Sequence, residues 1–312
     1  MKAVWLVFVW LLSTAGEATA SDALSFRFHY TVILPSLAAG ERGELWIPIA
    51  ETDDFQTVIM SVEGAKGVFT SEPVFKNRFY HVKFGHADQS KTVNFRYQVT
   101  RREKKAFANR EAELTAYLRA EKLSPLNGRF RQIAEKVTRG KRTDLEKSRA
   151  LYDYVLSTMK YDKSGTGWGR GDAVYACDVK TGNCTDFHAL FLVLARSLKI
   201  PARFAVGFTI PTDKPEGAIE GYHCWAEFLA NGNWVPIDIS EAWKERNDPK
   251  RVDYYFGHHP ANRLEMSRGR ELEPEIRTQD GPINFLVHPY LEVNGKAQKF
   301  QGKYEFSVGS RR

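Results

Sequence analysis

The chain has 312 residues, 43% of them hydrophobic and 13% aromatic, and its formal net charge is +7. A chain of this length can bury a large core, and its length favours two domains over one. The densest basic run, at residues 100–110, lacks aromatic side chains interleaved at stacking positions, which disfavours nucleic-acid binding.

Residues 1–20 have the features of a secretory signal peptide. Lys2 precedes an apolar stretch at residues 3–12, and the tripeptide 18–20 has the small-residue spacing at which signal peptidases cut. The apolar stretch is shorter than the roughly 20 residues that span a bilayer, and no later segment approaches that length without charges. We therefore expect a mature chain that starts at Ser21, has no transmembrane segment and is secreted or periplasmic. There its positive charge favours anionic cell-envelope polymers or acidic protein surfaces as partners.

Short runs of alternating apolar and polar residues fill the chain from residue 23 to about residue 100. Each run is rich in Val, Ile, Phe, Tyr or Thr and ends at Gly, Pro, Asp or Asn, a pattern typical of antiparallel strands. We predict a small β-sandwich domain over residues 21–105, of immunoglobulin-like size. It contains no cysteine and no convincing polar cluster, so its expected role is structural or in docking.

The period becomes helical between residues 103 and 160. Two helices are expected, and the second begins after an N-cap at Thr143 or Asp144, with Glu146 in its first turn. A mobile or tightly turning loop follows, and it fits neither a dinucleotide fingerprint nor a P-loop. Its glycines stand at positions 165, 167, 169, 171 and 182.

A buried helix is predicted to begin near Asn183 and to end before the Ile-Pro pair at 200–201. Apolar side chains cover nearly its whole circumference, so it should lie at the centre of a domain. The alternating runs that follow are expected to be strands packed on this helix, and the tail from Tyr254 to be further strands of the same domain. The second domain is thus predicted over residues 106–312, and the fold class is α+β.

The chain has three cysteines, Cys177, Cys184 and Cys224. In an oxidising compartment an odd number leaves at least one thiol free or paired outside the chain. There is no CxxC pair, and the histidines form no metal-binding pattern, so we predict no metal site and no cofactor. Cys184 stands at the start of the buried helix, where the helix dipole and the free backbone N–H groups favour a thiolate.

A base and an orienting acid for this thiol are found in the stretch 221–240. The Asn-Gly pair at 231–232 is the favoured dipeptide of a two-residue type I′ turn, which pairs the two residues that flank it. In that register His223 and Asp238 are diagonal neighbours on one face of a hairpin, with Cα atoms roughly 7–8 Å apart. A shift of one residue would move Asp238 to the other face, so the pairing is a specific prediction.

The other polar residues near the helix have structural interpretations. Cys224 is adjacent to His223, so it should point to the opposite face of the strand and pack in the core. A disulfide between Cys177 and Cys224 stays open, since no distance between them follows from the sequence. Asp186 is expected to cap the helix or to complement its dipole, and His188 to be a satisfied interior histidine rather than a catalytic one.

Three blocks of the sequence, GNCTDFHALFLVLARSLKIPAR, GYHCWAEF and WVPIDIS, in this order, closely resemble the catalytic blocks of the transglutaminase-like superfamily. The bacterial secreted members described as candidate cysteine proteases are especially similar. The resemblance covers roughly residues 130–290 and is weak over 21–105. It implies a papain-like α+β core, with N-terminal helices and a central cysteine-bearing helix packed on an antiparallel sheet. It also implies Cys184 as nucleophile, His223 as general base and acid, and Asp238 as the orienting carboxylate.

By that resemblance the protein is a thiol enzyme that attacks an amide carbonyl and passes through a thioester. The Cys184 backbone N–H is the natural first donor to the oxyanion. The resemblance implies a tryptophan N–H as the second donor, from Trp168 or Trp225. For Trp225, packing over the pair of His223 and Asp238 is an open alternative.

Hydrolysis of peptide or amide bonds is the favoured reaction, because no acidic loop suggests calcium control and no amine-acceptor pocket is evident. Two alternatives stay open. One is cross-linking of protein glutamines by a transglutaminase activity, and the other is a non-catalytic protein of the cell envelope that binds peptides or acts as a scaffold. The natural substrate, a peptide or protein, and the oligomeric state do not follow from the sequence.

Overall fold

The N-terminal alternating runs form six strands. The computed structural model describes residues 23–309, so the signal-peptide prediction for residues 1–20 lies outside the described residues. Every second side chain of the first strand is buried, as expected of a strand with one face on a core. The strands are β1 (Ala23–Ile33), β2 (Arg42–Ile49), β3 (Gln56–Gly64), β4 (Val68–Glu72), β5 (Asn77–Gly85) and β6 (Thr92–Arg102).

Helices and further strands follow this segment. The helices are α1 (Gly128–Val137), α2 (Asp144–Thr158), α3 (Ala173–Val179), α4 (Cys184–Ser197), α5 (Ile239–Lys244) and α6 (Pro249–Tyr254). The strands are β7 (Phe107–Ala108), β8 (Lys160–Tyr161), β9 (Thr181–Gly182), β10 (Ala202–Thr209), β11 (Glu216–Ala218), β12 (His223–Ala230), β13 (Asn233–Ile237), β14 (Arg263–Arg268), β15 (Tyr290–Val293), β16 (Lys296–Gln298) and β17 (Lys303–Val308). Within residues 23–309, no helix combines the length and the apolar character needed to cross a bilayer.

Three five-stranded sheets organise the chain. Two of them, with the strand orders β11-β17-β1-β6-β3 and β16-β15-β2-β5-β4, form the β-sandwich. Tyr80 of β5 contacts Phe95 of β6 across the shared core, with ring centroids 5.6 Å apart. The third sheet has the order β14-β10-β12-β13-β7 and packs against α4. The predicted α+β class, with helices before a central cysteine-bearing helix on an antiparallel sheet, is therefore confirmed.

The C-terminal strands differ from the expectation. β17 pairs with β1, placing Phe306 opposite Phe28, and β15 pairs with β2, placing Leu291 opposite Leu45. The prediction that the tail supplies strands to the helical domain is wrong for these strands and correct for β14 alone. Alternation shows that a segment is a strand, but it does not show which sheet supplies the partner. The division into domains at residue 105 stays a prediction, and residues 290–308 complete the sheets of the N-terminal segment.

Helix α4 is central to the part of the chain built on the third sheet, as predicted. Every residue from Cys184 to Arg196 is buried, and the helix contacts α1, α2 and α3 as well as strands β10 and β12. Full burial of each large apolar side chain here contributes about 1.5–3 kcal/mol. Ser197 is its last residue, and Lys199 just beyond has a φ of 65°, which turns the chain toward β10. This packing holds the first residue of α4 in a defined place.

The third sheet buries a charged face. On the side away from α4, Glu227 of β12 accepts from Lys104 Nζ at 2.8 Å and from Arg203 Nε at 2.6 Å. Glu265 of β14 accepts from the same lysine at 3.2 Å, and Gln56 of the sandwich donates to its backbone carbonyl at 3.0 Å. None of these side chains is more than 5% exposed. The sandwich segment therefore covers a face that would otherwise carry solvated charges.

Candidate active site

Cys184 is the first residue of α4, so its backbone N–H lies at the positive end of that helix. Asn183 is the N-cap, and its side chain accepts a hydrogen bond from the Thr185 N–H at 2.9 Å. Only 2% of Cys184 is exposed. The thiol therefore lies at the capped, positive end of α4, with little competing water.

The hairpin that carries the other two predicted residues has the expected register. Asn231 and Gly232 have φ values of 51° and 75°, as a type I′ turn requires. The flanking residues Ala230 and Asn233 are paired, and the pairing continues along β12 and β13 in step. The register predicted from the Asn-Gly turn is confirmed.

His223 and Asp238 meet as that register requires. His223 is the first residue of β12, and its Nε2–H donates to Asp238 Oδ2 at 2.6 Å. Asp238 follows β13 directly and is the N-cap of α5. This contact leaves Nδ1 of the imidazole for Cys184, whose thiol is close enough to His223 for the two groups to shift each other's pKa. The structure thus brings all three residues together.

Every oxygen of Asp238 is occupied. Oδ2 accepts from His223 and from Arg263 Nη2 at 2.7 Å, and Oδ1 accepts from the Ser240 hydroxyl at 3.0 Å and the Glu241 N–H at 3.1 Å. Burial alone would raise the pKa of Asp238, but the positive charges of His223 and Arg263 hold that pKa well below its usual value. The carboxylate is therefore ionised and fixed in orientation.

The environment separates the pKa values of the thiol and the imidazole. Burial alone would raise the pKa of Cys184, yet hydrogen bonds from Cys224 and His223 and the imidazolium charge hold it well below its ordinary value. Burial also lowers the pKa of His223, but the charge of Asp238 outweighs this and raises it to about 9. These opposite shifts favour the thiolate and imidazolium pair, the form that can attack a carbonyl and then protonate a leaving group.

Asp186 ties the glycine-rich loop to the start of α4. Its Oδ2 accepts from the Gly169 N–H at 2.7 Å and from the Asn183 N–H at 3.0 Å, and its Oδ1 accepts from the Gly171 N–H at 3.2 Å. Burial raises the pKa of Asp186 to about 6. The predicted cap is present, and the contact with the loop is additional. The loop turns through four glycines with positive φ, at 165, 167, 169 and 171.

The two tryptophans proposed as oxyanion donors lie in different surroundings. Trp168 directly precedes Gly169 in the tethered loop and is half-buried. Trp225 is fully buried, with its ring 6.0 Å from that of His223 and 5.7 Å from that of His259. It packs against the imidazole, as the alternative interpretation describes. The donor role of either tryptophan stays a prediction.

His188 links the nucleophile helix to the carboxylate. Its Nδ1 lies 2.8 Å from the Cys184 carbonyl oxygen and its Nε2 accepts from the Ile239 N–H at 3.1 Å. Since Nε2 accepts a hydrogen bond, the ring is neutral, and burial lowers its pKa accordingly. His188 is thus a satisfied interior histidine, as expected.

Two residues of the site were not found from the sequence. Tyr222 Oη accepts from Asn183 Nδ2 at 3.2 Å and lies 2.8 Å from Thr185 Oγ1, so it holds the residues on both sides of Cys184. Arg263 approaches Asp238 from β14. Adjacency to His223 could have pointed to Tyr222. No signal pointed to Arg263, because a polar residue in an alternating strand normally faces solvent.

All three cysteines are free thiols. Cys224 lies on the opposite face of β12 from His223, as predicted, and its Sγ lies 3.7 Å from Thr185 Oγ1. Cys177 lies 3.3 Å from Arg129 Nη2. The open disulfide between Cys177 and Cys224 is therefore not formed. Among residues 23–309, no group of three or more His, Cys, Asp or Glu side chains is arranged to hold a metal ion.

Comparisons with known proteins show what this chain is similar to. Residues 131–239 match the family model described as Transglutaminase-like superfamily, and this range includes Cys184, His223 and Asp238. An uncharacterized protein of Haemophilus influenzae is 25% identical over 325 aligned positions, which cover 89% of this chain and 87% of the relative. The crystal structure of a "Putative Cysteine Protease" from Cytophaga hutchinsonii is 17% identical and covers 94% of this chain and 93% of its own, with a TM-score of 0.64. At that identity the likeness to the solved structure shows a shared fold.

Proposed function

From the premise that this chain is a transglutaminase-like superfamily protein, we propose that it is a thiol enzyme acting on amide bonds of peptides or proteins. Cys184 is the nucleophile, His223 the general base and acid, and Asp238 the carboxylate that orients the imidazole. One observation carries the proposal: the imidazole of His223 is held at 2.6 Å by an ionised, buried Asp238 while it contacts the thiol at the start of α4.

The first half of the reaction forms a thioester. The Cys184 thiolate attacks the amide carbonyl carbon, and the carbonyl oxygen takes up negative charge. The backbone N–H of Cys184 stabilises that charge, with Trp168 as the proposed second donor. The C–N bond then breaks, and the His223 imidazolium gives its proton to the leaving amine nitrogen.

The second half releases the acyl group. With water as acceptor, His223 takes a proton from the attacking molecule, the C–S bond breaks, and a carboxylic acid and the free thiolate result. We propose hydrolysis as the outcome. An amine acceptor in place of water would form a new amide, which is the cross-linking alternative.

The setting of the enzyme is part of the proposal. The signal-peptide pattern of residues 1–20 supports a secreted or periplasmic protein, and the formal charge of +7 supports contact with anionic envelope polymers.

A single assay separates the candidate activities. The mature protein is incubated with a glutamine-bearing protein and a fluorescent primary amine, and both fragments and labelled product are measured. Fragments that disappear in Cys184→Ala but persist in Cys177→Ala support hydrolysis, because Cys177 lies outside the site. Label incorporated with the same dependence on Cys184 would replace hydrolysis by acyl transfer. Activity that survives Cys184→Ala would contradict the proposed enzyme altogether.

A further inference from the structure

Arg263 binds the same carboxylate oxygen as the imidazole. Its Nη2 donates to Asp238 Oδ2 at 2.7 Å, and His223 Nε2 donates to that oxygen at 2.6 Å. The arginine is 1% exposed. Its Nη1 donates to Thr209 Oγ1 at 2.9 Å, and its guanidinium carbon lies 5.3 Å from the centre of the Trp225 ring. Contacts with Asp238 after β13, Thr209 of β10 and Trp225 of β12 therefore fix the guanidinium in place.

We propose that Arg263 is a positioning residue that shares one oxygen of Asp238 with His223 and thereby sets both the orientation of the imidazole and how firmly it holds its proton. This inference rests on the proposed function, since it concerns the same three residues. Arg263 acts through Asp238, which it contacts directly.

Arg263 acts on the imidazole through its positive charge. One carboxylate charge serves two cations at hydrogen-bond distance, so Arg263 takes part of the attraction that would otherwise act on the imidazolium. Burial lowers the pKa of His223, Asp238 raises it to about 9, and Arg263 opposes Asp238. Without Arg263 the imidazolium would hold its proton more tightly and give it to a leaving amine less readily.

The other groups facing His223 are few. Glu241 of α5 has Oε1 at 3.8 Å from Nε2, and it also pairs with Lys244 at 2.5 Å. Helix α4 contributes the Cys184 thiol and the neutral His188. Strand β10 presents Gly207, which has no side chain, opposite His223. Arg263 is thus the fixed cation that opposes the proton on this imidazole, and Lys244 is half exposed and bound elsewhere.

The experiment measures the rate at which iodoacetamide alkylates Cys184, by mass spectrometry, between pH 4 and pH 10. In the wild type the alkylation rate is expected to change in two steps as the pH increases. It should rise as the thiolate and imidazolium pair forms, and it should change again near pH 9 as His223 loses its proton. In Arg263→Met the upper step should move up by about one pH unit. In Arg263→Lys, which keeps the charge, it should return toward the wild-type position.

Arg203→Met is the matched control. Arg203 is also buried in this sheet and pairs with Glu227 at 2.6 Å, but it does not contact the three site residues. It should lower thermal stability and leave both steps in place. A purely structural role for Arg263 predicts the same pattern, a uniform loss with unmoved steps, and that result would overturn the proposal.

A second variant covers the case in which Arg263→Met does not fold. Thr209→Val removes the acceptor that anchors Nη1, so the upper step should move in the same direction by a smaller amount, and an unmoved step would count against the proposal. The alkylation readout needs no substrate. If the protein cleaves no amide but the variants shift the steps of the alkylation profile, only the proposed function is contradicted. If the protein cleaves amides but the steps do not move, only this inference is contradicted.

Discussion

At the scale of single residues, the three thiols differ in their surroundings far more than in their burial. The pKa of Cys184 lies well below the ordinary thiol value despite its burial. Burial raises the pKa of Cys177, and it raises the pKa of Cys224 well above the ordinary value. Reactivity toward an alkylating reagent depends on the thiolate fraction. The three cysteines should therefore be alkylated at different rates.

We expect iodoacetamide at about pH 6 to label Cys184 at least tenfold faster than Cys177 or Cys224 in the folded protein. Peptide mapping after a short exposure measures the three rates together, so the slower cysteines are internal controls. In Asp238→Asn the preference should shrink, because the imidazolium loses its counter-charge. Slow, uniform labelling of all three would support the scaffold alternative.

The residues that could be found from the sequence are those whose positions follow from local geometry. Cys184 was identified from a cap followed by an apolar helix, and His223 and Asp238 from the parity of one hairpin. Arg263 lies 25 residues beyond Asp238 in the chain, and a strand with alternating polar residues suggests a solvent-facing side. It is buried among Asp238, Thr209 and Trp225, which are distant in the chain, so no local pattern reveals its position.

At the scale of elements, the glycine-rich loop and the start of α4 act as one unit. Gly171 has a φ of 66°, and a Cβ there would lie 2.9 Å from Thr185 Cγ2 and 3.1 Å from the Arg270 guanidinium. Gly165 has a φ of 80°, but a Cβ there would meet nothing within 4 Å. The two glycines thus share backbone strain and differ in contact.

We expect Gly165→Ala to cost about 1 kcal/mol in the free energy of unfolding, from backbone strain alone. Gly171→Ala should cost about 2–3 kcal/mol and also slow alkylation of Cys184, since the added methyl group presses on Thr185 beside the thiol. Thermal unfolding and the alkylation rate check both variants. If Gly165→Ala and Gly171→Ala changed stability and the alkylation rate equally, the contact between the loop and Thr185 would not support the site.

The elements themselves were predictable where a cap or a turn marks them. Thr143, one of the two N-caps predicted for α2, accepts from the Glu146 N–H at 3.2 Å, and the Asn-Gly turn set the register of β12 and β13. The partners of β15 and β17 were not predictable. A strand satisfies its backbone hydrogen bonds equally well in either sheet, and the choice depends on the assembled cores.

At the scale of the whole molecule, the sandwich and the helical part share buried charge as well as apolar core. Lys104 enters the third sheet from the chain just beyond β6 and pairs with Glu227 and Glu265, both nearly fully buried. Removal of one partner from a buried pair costs about 3–5 kcal/mol, because an uncompensated charge stays behind.

We therefore expect a fragment of residues 106–312 to fail to fold by itself, although the sequence places a domain boundary there. It lacks Lys104 and Gln56 and leaves β15 and β17 without β2 and β1. Size-exclusion chromatography and thermal unfolding of this fragment, beside residues 21–312, measure the outcome. A monomeric fragment with a sharp transition would show that the sandwich is a separable module.

The pairing of β1 with β17 has a consequence for biosynthesis. Residues 26–31 emerge from the ribosome early, yet their neighbours at 303–308 are made after nearly all the rest of the described chain. Until then one edge of β1 has no partner, and such unpaired edges invite aggregation. Pairing with β17 thus requires a full-length chain. A prematurely terminated polypeptide would leave this edge of β1 unpaired and would stay susceptible to proteases.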